Sequence, residues 1–280
     1  MNINISIVIA HYLPENNIHK NPLEKTISII ENEPDSHKAE IIIADDGSNY
    51  SQDIVSSYSK KINYNDRYIY VLEGDKLKSF LLKINLSSNC IKKWIYLPKD
   101  QPCMSKARVV NYGAKIAQSN KLVFLDDDNY FISKDSLNNV LTLFNNYNFI
   151  VGQIKDNNGR LRLYNSKRVQ GTTIAVEKNI FNQVDGFGEW TEEFSCGVDS
   201  DFWINIFASF NSKKNIKACY TDKFSTYDSY SKRWKKYTRF FRDIYLKREF
   251  NRRYKCKNYK SAKYNLSRNK NLWIDNLIEE

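Results

Sequence analysis

The sequence predicts an α/β fold in which a mostly parallel central sheet is flanked by helices. Short, continuously apolar segments, typical of strands buried on both faces, alternate with segments of helical periodicity. This alternation is typical of a parallel sheet covered by helices. Two of the apolar segments run directly into clusters of aspartates. In parallel sheets, ligands bind beyond the carboxyl ends of the strands, so both clusters are candidate site residues.

Seven segments fit a strand and five fit a helix. The strand segments are residues 5–10, 39–44, 67–72, 94–97, 121–125, 148–153 and 171–176. The helical segments are residues 21–32, where Pro22 suits the first turn, 51–60, 105–119, 177–184 and 198–210. Gly113 lies inside a helix, where glycine costs up to about 1 kcal/mol relative to alanine, and it therefore predicts close packing. Residues 74–92 are ambiguous and are read as an insertion.

Length and composition exclude several classes of protein. A chain of 280 residues, 41% hydrophobic and 27% charged, can bury a substantial core. Only 9 glycines and 5 prolines exclude a collagen-like or low-complexity chain. No apolar run approaches the roughly 18–20 residues that span a bilayer, and residues 1–10 fit a strand better than a signal peptide. Five scattered cysteines favour a reducing cytoplasm over a disulfide framework or a zinc site.

Three adjacent carboxylates, Asp126, Asp127 and Asp128, follow the apolar segment 121–125. Such a triplet fits a solvated turn. It also fits a divalent-cation site, since Mg²⁺ and Mn²⁺ take one or two protein carboxylates and complete their coordination with water and phosphate oxygens. If the strand continues, the side chains at 126 and 128 point the same way and can share one ligand.

A second acidic cluster, Asp45 and Asp46, ends the apolar segment 39–44 and precedes Gly47. The pair fits a simple turn, or a carboxylate that accepts hydrogen bonds from a nucleotide base or a ribose. Because the carboxyl ends of parallel strands meet at one edge of a sheet, we expect both acidic clusters to face one crevice.

Two of the predicted helices carry further candidates. Arg108, in the helix 105–119, fits either an ion pair on the helix surface or a contact with a pyrophosphate. Asp199 and Asp201 lie at the start of the helix 198–210. Acids at this position fit N-terminal capping, and one of the two also fits a general base.

In their order along the chain, these segments resemble a GT-A-fold glycosyltransferase of the large family 2. The matching stretches are SIVIAHY, IIIADDGS, ARVVNYGAKIA, LVFLDDDN, GTTIAVEKNIFNQVDGFGE and CGVDSDFW, which together span about residues 5–210. The resemblance implies a Rossmann-like GT-A domain over residues 1–228. Its nucleotide-binding half would be residues 1–128 and its acceptor half residues 129–228, followed by a basic, aromatic helical tail, residues 229–280.

The resemblance implies which residues bind the donor. Tyr12 and Asp46 would contact the nucleotide base, with Asp46 on a uracil edge. Arg108 would lie near the base or the diphosphate. Asp126 and Asp127 would hold the ribose or belong to the metal shell.

The resemblance also implies the metal ligands and the base. Asp128 would be the main ligand of Mn²⁺ or Mg²⁺, with Asp126 beside it, and Asp199 would be the catalytic base. Asp201 and Asn111 would support the site. The family commonly has Glu-Asp at the base position, where this chain has a valine before Asp199, so one candidate remains instead of two.

A further metal ligand, often a histidine after the catalytic helix, is common in this family. The three histidines of this chain, His11, His19 and His37, all lie near the N-terminus. The ligand is therefore absent or replaced by Asp222 or Asp228, and the sequence leaves this open.

Positive charge is concentrated near the C-terminus. Residues 231–270 hold 16 Lys and Arg against two acids, a net +14, whereas the whole chain carries +11. Bases alternate there with aromatic and apolar residues at helical spacing: Trp234, Tyr237, Phe240, Phe241, Ile244, Tyr245 and Phe250. Three interpretations stay open. The segment could form a helix that packs on the rest of the protein or an interfacial helix that lies on an anionic membrane. It could also form a groove that binds a strand of nucleic acid. We expect no nucleic acid, because the remaining residues carry a net −3 and match no binding module.

The resemblance thus implies inverting, metal-dependent transfer of a hexosyl or N-acetylhexosaminyl group from a nucleotide-diphosphate donor, preferably a UDP-sugar. The acceptor would be a hydroxyl of a glycan or a lipid-linked saccharide in bacterial polysaccharide biosynthesis. The expected location is cytoplasmic, with peripheral binding to the inner face of the cell membrane. The alternatives are a sugar-nucleotide nucleotidyltransferase and a non-enzymatic basic protein that binds membrane or nucleic acid.

Overall fold

A mixed β-sheet organises the part of the chain that the computed structural model describes, which is residues 3–14, 21–99, 104–162, 169–213, 216–229, 239–255 and 274–278. Its strands are β1 Ile5–His11, β2 Ala39–Asp45, β3 Lys60–Tyr64, β4 Arg67–Leu72, β5 Ile91–Tyr96, β6 Lys121–Asp126, β7 Asn129–Phe131, β8 Phe149–Asp156, β9 Leu161–Arg162, β10 Ile174–Glu177, β11 Ala218–Asp228 and β12 Ile274–Leu277. The α-helices are α1 Leu23–Glu31, α2 Ile54–Ser57, α3 Gly74–Lys83, α4 Lys106–Ile116, α5 Ser136–Leu143, α6 Lys178–Gln183, α7 Val198–Lys213 and α8 Arg239–Tyr254.

The strands run in the order β12-β11-β8-β10-β6-β1-β2-β5-β4-β3. The central strands β6, β1, β2 and β5 are parallel neighbours. Strand β10 lies between β6 and β8 and is antiparallel to both. Beyond β5, strand β4 is antiparallel to β5, and β3 is antiparallel to β4. The parallel centre confirms the predicted α/β class.

Burial on both faces explains why the central strands read as continuous apolar runs. Every residue of β1 and β2 is buried. Alternate side chains point to opposite faces, so that Val8 and Ile42 enter one core while Ile7 and Ile41 enter the other. Helix α4 covers the first of these faces.

Gly113 confirms the close packing that its place in a helix predicts. A Cβ added at Gly113 would lie 2.9 Å from Cγ1 of Val8 on β1 and 3.5 Å from Cδ1 of Ile95 on β5. Any larger residue would push α4 away from the sheet.

The parallel register brings three strand ends to one edge. His11, the last residue of β1, pairs with Asp45 of β2, and Ala10 pairs with Asp126 of β6. The acidic residues that follow β2 and β6 therefore emerge side by side.

Several regions differ from the prediction, among them α5, where no element was predicted, and β12, a strand within the predicted helical tail. Residues 74–92 are not a featureless insertion, because they contain α3 and the start of β5. The predicted helix over 51–60 is reduced to α2, next to a single 3₁₀ turn at Asn49–Ser51, and β3 begins at residue 60. Strand β11 was not predicted, because its polar residues interrupt the apolar run although most of its side chains are buried.

The basic tail contributes to the body of the protein. Leu246 and Phe250 of α8 are buried against Ile204 of α7 and Trp190, and β12 pairs in parallel with β11. Helix α8 thus packs on the body, as the first of the three interpretations has it. Two of the predicted aromatic positions, Trp234 and Tyr237, lie outside the described residues, as do the side chains of 240 and 241.

Among the helices of the described segments, none combines the length and the apolarity needed to cross a bilayer.

Candidate functional site

A cavity of about 260 Å³ opens at the edge where β1, β2 and β6 end. Asp46 and Asp126, 80 positions apart in the sequence, both line it. The expectation that the two acidic clusters face one crevice is therefore met. The residues around the cavity are Ala10, His11, Tyr12, Ala44, Asp46, Met104, Lys106, Asp126, Asp127, Asp128, Asn129, Arg162, Thr172 and Asp228.

Asp46 is a buried carboxylate held by two donors. Lys99 Nζ lies 2.8 Å from Asp46 Oδ2, and the backbone N–H of Ser105 donates to the same oxygen at 2.9 Å. Burial raises the pKa of Asp46 to about 6, although the Lys99 ammonium acts in the opposite direction. Lys99 Nζ also lies 4.2 Å from the centre of the Tyr12 ring. An aromatic ring and a carboxylate are thus held together at one part of the cavity.

The neighbouring Asp45 has a structural role. Its carboxylate accepts hydrogen bonds from the Ser48 backbone N–H at 2.8 Å and from Trp94 Nε1 at 3.1 Å. The turn interpretation is therefore correct for Asp45, whereas Asp46 faces the cavity.

Asp127 is fixed from behind by a histidine. Its Oδ2 lies 2.5 Å from His11 Nδ1, and the other ring nitrogen of His11 lies 2.6 Å from the Tyr50 hydroxyl. The Thr26 hydroxyl donates to the Asp127 carbonyl oxygen at 2.7 Å. These contacts hold the middle of the aspartate triplet rigidly and give the buried His11 a structural role.

Asp126 lies beside the ammonium group of Lys106, which the sequence analysis did not single out. Lys106 Nζ contacts Asp126 Oδ1. Burial raises the pKa of Asp126 to about 6, with Asp128 and Asp199 adding to the rise and Lys106 opposing it. The Asp126 backbone N–H donates to Thr172 Oγ1 at 2.8 Å.

The donor set of the triplet fits a hard divalent cation. Asp126 and Asp128 both line the cavity, and one or two carboxylates suffice when water and phosphate oxygens complete the coordination. Within the described segments, no three or more His, Cys, Asp or Glu side chains are grouped as a ready-made metal cage. A cation here would therefore depend on a ligand for the rest of its oxygens.

Of the two acids left open as a further metal ligand, Asp228 lines the cavity and Asp222 does not. Asp228 is engaged by the guanidinium of Arg162, which also lies 2.6 Å from Asp156 Oδ1. The negative charge of Asp228 is thus compensated by the Arg162 guanidinium.

Asp199 lies directly behind the cavity wall. A Cβ added at Gly171 would be 1.8 Å from Asp199 Oδ1, so the carboxylate rests against the backbone of Gly171. The next residue, Thr172, lines the cavity. The charge of Asp199 acts on both Lys106 and Asp126. Asp199 is not among the residues that line this cavity, but it contacts Gly171, the neighbour of the lining residue Thr172.

Asp201, two residues along α7, has different neighbours. Its buried carboxylate accepts hydrogen bonds from Trp190 Nε1 at 2.8 Å and from the hydroxyl of Tyr254 on α8. Burial raises its pKa, and these hydrogen bonds oppose the rise. Asp201 therefore anchors α8 and lies apart from the cavity.

The placement of Arg108 near a diphosphate is not what the structure shows. Its Nε donates to Glu192 Oε1 at 3.0 Å and its Nη1 to the Asn65 carbonyl at 2.8 Å. It does not line the 260 Å³ cavity. The alternative interpretation, an ion pair of the helix surface, describes Arg108 correctly.

Asn111 supports a turn. Its Nδ2 donates to the Phe187 carbonyl at 2.7 Å, and its Oδ1 accepts from the Phe187 N–H at 2.9 Å. It lines a second cavity of about 720 Å³, together with Glu189 and Asp201, on the side of α4 toward α8.

Lys106 and Gly171 are among the residues that sequence reasoning missed, together with Lys99, Arg162 and Thr172. Lys106 stands two positions before Arg108, and residues two apart on a helix face different directions. The Arg108 guanidinium suits a phosphate contact by its geometry, but the rotation of α4 about its axis places Lys106, and not Arg108, at the cavity. The signal for Gly171 was its place before Thr172, at the start of a buried strand segment.

Neither a scan against protein-family models nor a search of curated proteins gives a match for this sequence. Solved structures do match. S. aureus TarS 1–349 is 14% identical at a TM-score of 0.48, over 73% of this chain and 55% of that one, and its complex with UDP-GlcNAc matches at 14% and 0.48, over 72% and 54%. The mannosyltransferase PcManGT from Pyrobaculum calidifontis, in complex with GDP-Man and Mn²⁺, is 12% identical at 0.49, over 83% and 59%.

This chain spans little more than half the length of these solved structures. One of them, PcManGT, is named a mannosyltransferase. Since their TM-scores lie below 0.5, the function proposed below is based on the residues of this chain's own cavity.

Proposed function

We propose that this chain is a glycosyltransferase of the GT-A type. It transfers a hexosyl or N-acetylhexosaminyl group from a nucleoside-diphosphate donor, preferably a UDP-sugar, to a hydroxyl of a glycan or lipid-linked saccharide. The observation that carries the proposal is the cavity at the ends of β1, β2 and β6. It combines an aromatic ring and a buried carboxylate, Tyr12 and Asp46, with the carboxylates of Asp126 and Asp128.

The nucleoside occupies the Tyr12–Asp46 part of the cavity. The ring of Tyr12 offers a face for base stacking. The ionised carboxylate of Asp46 accepts the N3–H of a uracil, which a cytosine does not present. Asp127, held by His11, is fixed in position to accept a hydrogen bond from the ribose.

The donor diphosphate lies next to the aspartate triplet. Asp126 and Asp128 are the residues that would hold Mn²⁺ or Mg²⁺, and such an ion supplies neutralisation of the charge that develops on the departing diphosphate. Without such an ion the two carboxylates would repel the diphosphate. Asp127, between them in the sequence, remains bound to His11.

Asp199 acts as the general base. It takes the proton of the acceptor hydroxyl while the oxygen attacks the anomeric carbon from the face opposite the diphosphate. The new bond joins the acceptor oxygen to the anomeric carbon. The bond that breaks joins this carbon to the diphosphate oxygen, which keeps the electron pair. The product is inverted at the anomeric carbon.

A panel of UDP-, GDP- and dTDP-sugars with Mn²⁺ tests the proposal by thermal shift, since a bound donor raises the melting temperature by mass action. Hydrolysis and transfer of the stabilising donor are then measured for Asp128→Ala and Asp199→Asn. We expect Asp128→Ala to lose donor binding, and Asp199→Asn to keep binding but lose transfer. Asp75→Asn, a surface acid on α3, is the matched control and keeps both.

Other outcomes identify the alternatives. Release of pyrophosphate from a nucleoside triphosphate and a sugar 1-phosphate would identify a nucleotidyltransferase. Absence of any Mn²⁺-dependent nucleotide affinity would leave a non-enzymatic basic protein.

We also propose that α8 binds the inner face of an anionic membrane, where a lipid-linked acceptor lies. Positions 244, 245, 248 and 252 fall on one helical face, and Ile244, Tyr245, Arg248 and Arg252 are all exposed. Exposed apolar side chains next to cations are typical of an interfacial helix. The opposite face packs on the body through Leu246 and Phe250, so both contacts can form at once.

Cosedimentation with vesicles of phosphatidylglycerol and phosphatidylcholine, over a salt series, tests this second proposal. The double variant Tyr245→Ser, Arg248→Glu is expected to partition less than the wild type, and Lys92→Glu, an exposed charge on β5, to partition equally. Equal partitioning of all three proteins would rule out membrane binding by this face.

A further inference from the structure

We propose that Lys106 binds the diphosphate of the donor and that it exchanges its contact with Asp126 for one with a phosphate oxygen when the donor enters. The inference rests on the proposed function, because it names a further residue of the same site. It gives to Lys106 the role that the sequence had suggested for Arg108.

The position of Lys106 is unfavourable for a purely structural lysine. It is the first residue of α4, where the helix dipole disfavours a cation. Its side chain lines the cavity and contacts the carboxylate of Asp126, and Asp128 lines the same cavity. The ammonium is thus placed among carboxylates at the start of the helix.

Among the residues that the structure describes, Arg162 and Lys99, the other cations near the cavity, are paired with carboxylates. Arg162, which also lines the cavity, is placed between Asp156 and Asp228. Lys99 donates to the carboxylate of Asp46 at 2.8 Å and to its carbonyl oxygen at 3.2 Å. Lys106 contacts Asp126 and has three N–H donors on a flexible stem, so it can reach a second oxygen.

The charge of the cavity favours such a cation, although Arg162 and Lys99 already pair with Asp228 and Asp46. Five of its lining residues are aspartates: Asp46, Asp126, Asp127, Asp128 and Asp228. A diphosphate adds further negative charge. Asp126 and Asp128 would hold a divalent cation, which would supply positive charge to the Asp126 carboxylate and leave the Lys106 ammonium able to donate to a phosphate oxygen. In the donor-free protein, Lys106 and the divalent cation instead compete for Asp126.

Isothermal titration with three probes tests the inference: UDP in the presence of Mn²⁺, uridine, and Mn²⁺ alone. The variants are Lys106→Met, which removes the charge at similar length, and Lys106→Arg, which keeps it. Lys115→Met is the matched control, since Lys115 is an exposed lysine on the same helix. Melting temperatures establish that each variant is folded.

We expect Lys106→Met to bind UDP at least about tenfold more weakly, because a charge-assisted hydrogen bond is lost. Its affinity for uridine stays the same, and its affinity for Mn²⁺ alone rises, because the competing ammonium is gone. Lys106→Arg and Lys115→Met keep the wild-type affinity for UDP within a few-fold.

Each other result has one meaning. If Lys106→Met binds UDP as the wild type does, the inference is wrong and the proposed function stands. If Lys106→Met loses affinity for UDP and for uridine to the same extent, Lys106 has a structural role and the inference is wrong. If the wild type itself binds no UDP with Mn²⁺, the proposed function fails first.

Discussion

Gly171 and the carboxylate of Asp199 occupy adjoining space with no room for a methyl group between them, since a Cβ at Gly171 would lie 1.8 Å from Asp199 Oδ1. Thr172, the next residue, lines the cavity and accepts a hydrogen bond from the backbone of Asp126. The position of the proposed base relative to the aspartate triplet is therefore set by the absence of a side chain at Gly171.

The first prediction follows from this contact. Gly171→Ala displaces the Asp199 carboxylate, and we expect kcat to fall by about 10²–10⁴-fold, the usual contribution of a general base. The apparent affinity for the donor changes little, because the nucleoside part of the cavity is untouched. Steady-state kinetics with the best donor of the panel measure both values.

Gly159→Ala is the control for this variant. Gly159 also gains a methyl group, but no atom of the described residues lies within 4 Å of it, and its positive φ of 81° makes the substitution costly in stability alone. Full activity of Gly171→Ala would show that Asp199 does not need its present position.

The second prediction concerns pH. Ionised Asp46 accepts the uracil N3–H, and its pKa in the free protein is raised by burial to about 6. Affinity for uridine should therefore rise between about pH 5 and pH 7 and level off above. Asp46→Asn should bind more weakly and without this pH dependence. A wild-type affinity that is constant over this range would contradict the role of Asp46.

The raised pKa of Asp46 also predicts how the free energy of unfolding depends on pH, with a sign opposite to that of the uridine affinity. Between its ordinary pKa of 3.8 and the raised value of about 6, the folded protein retains a proton that the unfolded chain has released. The contribution of Asp46 to the free energy of unfolding is thus greatest at low pH and falls as the pH rises through this window. Urea titrations at several pH values should show a smaller fall for Asp46→Asn than for the wild type.

The third prediction separates the two acids of α7. The Tyr254 hydroxyl donates to the buried carboxylate of Asp201. Tyr254→Phe should lower the free energy of unfolding by about 1–3 kcal/mol, because this charge-assisted hydrogen bond is lost. It should leave kcat unchanged.

Tyr245→Phe, on the exposed face of the same helix, is the control and should leave both quantities unchanged. A fall in kcat without a fall in stability for Tyr254→Phe would place Asp201 in the reaction.

The fourth prediction contrasts Arg108 with Lys106. Arg108 binds Glu192 and lies 3.7 Å from Glu189 Oε2, and it does not line the cavity. Arg108→Met should therefore destabilise the protein by about 1–3 kcal/mol and leave the UDP affinity within about twofold of the wild type. Chemical denaturation and calorimetry measure the two effects. A large loss of UDP affinity in a protein of normal stability would restore the interpretation drawn from the sequence.

The sequence was sufficient to locate the centre of the sheet and the acidic clusters. Strands β1, β2 and β6 are buried on both faces, so they are mostly apolar and easy to recognise, and their parallel arrangement places Asp46 near Asp126. Strand β11 was missed because its hydroxyl groups are buried with partners, as in the hydrogen bond between Thr173 and Thr226 at 2.6 Å.

The choice between Lys106 and Arg108 could not be made from the sequence. Both are cations in the first turn of α4. Which of them faces the cavity depends on the rotation of α4 about its axis. That rotation is set by packing, including the contact of Gly113 with Val8, and no local pattern records it.

The structure of the protein crystallised with UDP and Mn²⁺ tests the central claim most directly, because the anomalous signal of manganese locates the ion independently of the nucleotide. We predict manganese bound by Asp126 and Asp128, with the uracil at Asp46 and the diphosphate between them. Manganese or nucleotide bound only at a different place, with this cavity left empty, would contradict the account.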